Sequence, residues 1–101
     1  MNIQESSLIG RKILVGLSYL DSNDEVAKQV QLHGSISSVG EHTLKFEQAN
    51  GAGIFSIPFD GILEAADPEA VYTLRSTGES VTGVNFVASF TIYPAKKGEE
   101  V

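Results

Sequence analysis

Hydrophobic residues recur at every second position in segment after segment of this chain, a period that fits a half-buried β-strand and not a helix. From Lys12 to Leu20, Ile13, Val15, Leu17 and Tyr19 point one way, with Lys12, Gly16 and Ser18 opposite. From Val26 to Val39, Val26, Val30, Leu32 and Ile36 share a face, while Gln29, Gln31, His33, Ser35 and Ser37 form a second face expected to be solvated. His42 to Gln48 sends Leu44 and Phe46 inward, and Gly53 to Phe59 aligns Phe55, Ile57 and Phe59. A last strand from Val84 to Tyr93 carries Val84, Phe86, Ala88, Phe90 and Ile92 on one side.

The breaks between these runs carry turn chemistry. Asp21-Ser22-Asn23-Asp24-Glu25 is five polar residues in a row, suited to a reversal held by local side-chain hydrogen bonds. Gly34 interrupts the second strand where a bulge or sharp bend would fit. Val39-Gly40-Glu41 makes a tight turn, and Asn50-Gly51 predicts a two-residue type I′ hairpin. Pro58 has no amide donor, which places its strand at an edge or at its end. Asp60 to Ala70 is irregular; Ile62 and Leu63 fit a short strand or a helical turn, and Asp67-Pro68 marks a loop. Val71 to Ser76 reads as a strand that turns at Thr77-Gly78 into the last one.

About six short strands, with no helix longer than a turn, leave a sandwich or a small barrel as the physical solutions. The expected fold is all-β: a single, strongly bent antiparallel barrel over residues 1–93 with an extra C-terminal β-hairpin, followed by a charged tail over 94–101. A chain of 101 residues, 42% of them apolar, is long enough to bury one core and too short for two. It contains no cysteine, which removes disulfides and thiolate metal sites. Met1 to Lys12 lacks a basic stretch followed by an apolar run, and no apolar run approaches the ~20 residues that cross a bilayer. A cytoplasmic protein with no membrane contact is expected.

No constellation in the sequence supports catalysis or a cofactor. His33 and His42 fall on different strands without a third ligand at a metal-site spacing. The Asp21 loop has oxygen donors where a calcium loop begins, but Val26 stands where the glycine belongs and Leu32 where the closing glutamate belongs. Gly51-Ala52-Gly53 lacks the third glycine and following helix of a dinucleotide fingerprint. Neither a P-loop nor a Gly-x-Ser-x-Gly elbow is present. No enzyme, cofactor or metal is therefore expected. Arg75 and Glu79 flank the Thr77-Gly78 turn at a spacing that permits a cross-turn ion pair; with His33 they are the candidate partner contacts.

In the order and length of its strands, the stretch from Leu8 to Ala66 resembles an SH3-like or Sm-like small barrel: LIGRKILVGLSYLD, QVQLHGSISSVGEHTLKFE and GAGIFSIPFDGIL. Gly34 falls where Sm-like proteins carry a glycine in a long bent second strand. The resemblance implies the architecture alone, because Ser35 to Val39 stand where the first Sm motif has its Asp and Asn. VYTLRSTGESV, 71–81, is similar to a segment of uncharacterised small bacterial proteins.

Seven Lys plus Arg against thirteen Asp plus Glu give a net charge of −6, which repels a phosphate backbone. The function expected is a non-enzymatic protein-interaction or accessory module of a bacterial cytosol. Its partner is another protein met by a sheet face or open strand edge, or a second copy in a homodimer through strand edges. The alternatives are a nucleic-acid-binding Sm- or OB-type barrel, against which the charge argues, and a barrel that binds a small ligand.

Overall fold

The structure, a computed structural model, describes residues 8–93 apart from 62 and 76, so the expected charged tail lies outside the described residues. Among the described residues eight strands form in chain order: β1 Lys12–Leu20, β2 Val26–Val39, β3 Thr43–Gln48, β4 Ile54–Pro58, β5 Glu64–Ala65, β6 Tyr72–Thr73, β7 Ser80–Val81 and β8 Phe86–Ile92. Six make one sheet in the order β4-β3-β2-β1-β8-β5, and β6 and β7 pair separately. The alternating segments became the long strands, because each buries one row of side chains.

Two features differ from the expected antiparallel barrel. The sheet is open, with β4 at one edge and β5 at the other. It is also mixed: β8 runs parallel to β1, from Ile13 opposite Phe86 to Tyr19 opposite Ile92. The expected final hairpin from Val71 to Tyr93 therefore splits. Only Tyr72–Thr73 and Ser80–Val81 pair with each other, and the chain then leaves through Gly83, at a φ of 72° that favours glycine. Asn85 fastens the start of β8 to the start of β1. Its amide donates to the Lys12 carbonyl and its side-chain oxygen accepts from the Lys12 amide, both at 2.9 Å.

β2 is the hinge between two pairings, meeting β1 over 26–35 and β3 over 34–39, with Gly34 and Ser35 shared. A bulge falls between Ile36 and Ser38 rather than at the glycine. What Gly34 provides is space, because a Cβ there would overlap the backbone carbonyl of Glu47 on β3. The Asn50-Gly51 turn is wider than the two-residue form expected. Gln48 closes onto Gly53 at 2.9 Å, the positive φ falls on Gly51 and Gly53 and not on Asn50, and the Asn50 side chain accepts from the Ala52 amide. Asp21 holds its loop in the same way, its carboxylate accepting from the Asn23 and Glu25 amides at 2.8 and 3.0 Å.

The main core lies on one face of the sheet. Ile13, Val15, Leu17, Ile36, Leu44, Phe46 and Ile57 are buried there with Leu8, and Phe59, Leu63, Phe90 and Ile92 pack against them. Residues from β4 and β8, at opposite sides of the sheet order, thus share one cluster, so the sheet curls around it. Each fully buried aliphatic or aromatic side chain contributes about 1.5–3 kcal/mol. A second, smaller core of Leu14, Leu74, Val81 and Val84 sits on the other face, beneath the β6–β7 hairpin.

Candidate functional site

The register of the sheet decides which polar residues meet on that second face. Leu14 lies opposite His33, Gly16 opposite Gln31 and Ser18 opposite Gln29, so their side chains project to the same side. On β8 the parallel register adds Val87, Ser89 and Thr91 to this side. The β6–β7 hairpin lies over the Leu14–Val87 half, so the face expected to be solvated is half covered. His33 is accordingly only 18% exposed at its side chain.

The three expected contact residues gather at this hairpin, though not in the expected pairing. Glu79 sends its carboxylate to His33 Nε2 at 3.3 Å instead of to Arg75. The backbone of the turn explains this. Leu74 donates to the Glu79 carbonyl at 2.8 Å, Gly78 to the Leu74 carbonyl at 2.7 Å, and Glu79 to Thr77 Oγ1 at 3.2 Å, which fixes Glu79 over the β2 floor. The Arg75 amide donates to Gln31 Oε1, anchoring the start of the turn to β2. Arg75 itself is exposed and lines a hollow with Gln29, Gln31 and Ser89.

The second feature is backbone rather than side chain. β8 is paired along its length with β1, but on its other side β5 covers only Phe86 and Val87. Among the described residues, Ala88 to Ile92 thus presents an open edge of five residues. Beside it lies a depression of about 490 Å³, walled by Phe59, Leu63, Ala88 and Phe90, with His42, Asp60 and Glu64 also lining it. His42 is itself beside Glu41, at 3.2 Å. Among the described residues no Lys or Arg lines this space. The other long edge, β4, ends in Pro58, a residue that blunts strand addition.

Among the described residues no group of three or more His, Cys, Asp or Glu could hold a metal ion, and no helix is long and apolar enough to cross a membrane. No protein-family model, curated protein or solved structure matches the chain. Sequence reasoning found His33, Arg75 and Glu79 as residues, but passed over Gln29 and Gln31 as solvated strand positions. The sequence shows only two glutamines at a spacing of two; the register that sets them opposite Gly16 and Ser18 comes from the sheet.

Proposed function

We propose that this chain is a non-enzymatic interaction module of the cytoplasm, whose β8 edge accepts an extended segment of another protein. The observation that carries this is the stretch Ala88–Ile92, which no strand among the described residues pairs on its outer side. Exposed N–H and C=O groups on a strand edge gain ladder hydrogen bonds when a partner strand is added, and alternate side-chain sites give the specificity. Apolar side chains of an incoming strand would enter the space between Phe90, Phe59 and Leu63, finishing the burial that the open sheet leaves incomplete. In this sense the small barrel expected from the sequence is closed by the partner's strand.

Charge selects the segment. Among the described residues the lining holds Asp60 and Glu64 and no Lys or Arg, in a chain of net charge −6. A segment alternating Lys or Arg with aliphatic residues complements both, and its approach is sped by electrostatic steering. The same balance opposes the alternative of nucleic acid.

The test is an NMR titration of the 15N-labelled protein with a capped peptide of alternating Lys and Val, set against its Glu-Val counterpart. The expected result is movement and slowed hydrogen exchange at Ala88–Ile92 with the Lys peptide alone, weakening as salt rises. Amides of Ala88–Ile92 that are already protected in the free monomer would show the edge to be closed and end this proposal. Protection that develops with protein concentration alone would identify a second copy as the occupant.

A further inference from the structure

On the opposite face, beyond the end of the β6–β7 hairpin, Gly16, Ser18, Gln29, Gln31, Arg75 and Ser89 line a hollow of about 300 Å³. We infer that this hollow is a binding site for a small hydroxylated carboxylate of the sugar-acid class, with the Arg75 guanidinium as its anion contact. The site shares Ser89 with β8 but lies on the sheet face, whereas the proposed strand addition uses the backbone of the edge, so Gly16, Gln29 and Gln31 report on it alone.

Gly16 is the first observation. It sits in the middle of β1 in ordinary extended conformation, where glycine weakens a strand and has no side chain to pack. Packing does not require it. A Cβ built there would meet nothing nearer than Ser89 Oγ at 3.7 Å, which is ordinary contact. Neither backbone angle nor crowding accounts for the residue, whereas close approach of a molecule from outside the chain does. This separates Gly16 from Gly34, whose missing Cβ is explained by β3.

The polar groups around it are the second observation, and their hydrogen-bonding capacity is partly spent in a way that defines what remains. Gln31 Oε1 accepts from the Arg75 amide, which leaves the Gln31 NH₂ group for a ligand. Gln29 Nε2 donates to Ser18 Oγ at 3.3 Å, which leaves the Gln29 carbonyl and the Ser18 hydroxyl hydrogen. With the Ser89 hydroxyl and the guanidinium, the lining offers mostly donors, one carbonyl acceptor and a fixed positive charge. Among the described residues it contains no carboxylate, although the chain carries thirteen Asp plus Glu. Such a set matches one carboxylate, which a guanidinium can grip with two parallel hydrogen bonds, on a body whose hydroxyls both donate and accept. The volume equals that of roughly ten waters, the scale of one hexose ring.

Glucuronate is the probe, with glucose as its uncharged counterpart, followed by NMR shifts of the amides of Gly16, Gln29, Gln31 and Ser89. The expected result is saturable movement of these resonances by glucuronate in the millimolar range, with glucose at least tenfold weaker. Arg75→Gln should reduce glucuronate to the level of glucose. Gly16→Ala should abolish binding while the thermal midpoint stays level or rises, an outcome that loss of fold cannot imitate. Glucose binding as well as glucuronate, binding that survives Gly16→Ala, or no movement across the titration would each overturn the assignment.

Discussion

Gly34 shows how much one missing side chain can decide. Its backbone is shared by two pairings, Ile13 on β1 and Gln48 on β3, and its Cα faces the Glu47 carbonyl too closely for any Cβ. Alanine there must push β3 away from β2, and β3 carries Leu44 and Phe46, both fully buried. Forcing atoms into a packed region costs typically 1–3 kcal/mol through displaced backbone. Gly34→Ala is therefore expected to lower unfolding stability by about 3 kcal/mol, read as a fall in the urea midpoint with little change in slope. A loss under about 0.5 kcal/mol, the range of ordinary surface changes, would mean that β2 and β3 are less closely apposed than described. The sequence marked this glycine as special, but it suggested a bulge. The close approach depends on β3, which no residue near Gly34 in the chain reveals.

Among the elements, the β6–β7 hairpin has the least local support: two residues a strand, held down by what it buries. Leu74 is 2% exposed and packs with Leu14, Val81 and Val84, so Leu74→Ala is expected to cost about 2–5 kcal/mol in chemical unfolding. The polar link is a different matter. Glu79 is 53% exposed at its side chain, a position where ion pairs contribute less than about 1 kcal/mol. Glu79→Gln, which can still accept from His33, should fall below that figure in the same measurement. Reversal of this order would make the His33–Glu79 contact the clamp and the apolar cluster secondary. The two predictions also locate what was legible. β1 to β4 are long enough for alternation to show, and turn residues separate them, so most of their inward positions could be read, although Val26, expected inward, is 55% exposed. Leu74 and Val81 are isolated apolar residues in short segments, where period has no meaning, and Val84, expected on one side with Phe86 and Ile92, precedes β8 and packs in the second core instead. That β8 would run beside β1 rests on Asn85 reaching Lys12, seventy-three positions away, and a single-sequence pattern carries no signal for such a pairing. His33 and Glu79 were visible as residues, but their contact depends on that same long-range placement.

At the scale of the whole molecule, the two sides of the open sheet are unequally protected against strand addition. β4 ends in Pro58, whereas β8 has neither proline nor charge anywhere in Phe86–Ile92. Natural edges carry such guards because unpaired strands recruit other chains, so an unguarded one is an edge in use or a hazard. When the proper partner is absent, the most available strand is β8 of another copy. Antiparallel pairing about Phe90 would place Ala88 against Ile92 and Ser89 against Thr91, a small-with-large fit and a hydroxyl pair with no like charges opposed. An interface of five-residue strands is small, which implies weak association visible only at high concentration. The average mass of the protein in sedimentation equilibrium is thus expected to rise with concentration toward that of a dimer. Thr91 is exposed on this edge, so Thr91→Lys should leave unfolding stability within about 0.5 kcal/mol. It should nevertheless hold the mass at that of a monomer, because pairing would have to desolvate the new ammonium group. A dimer that persists in the Lys variant would place the self-contact elsewhere and leave β8 for a foreign strand alone.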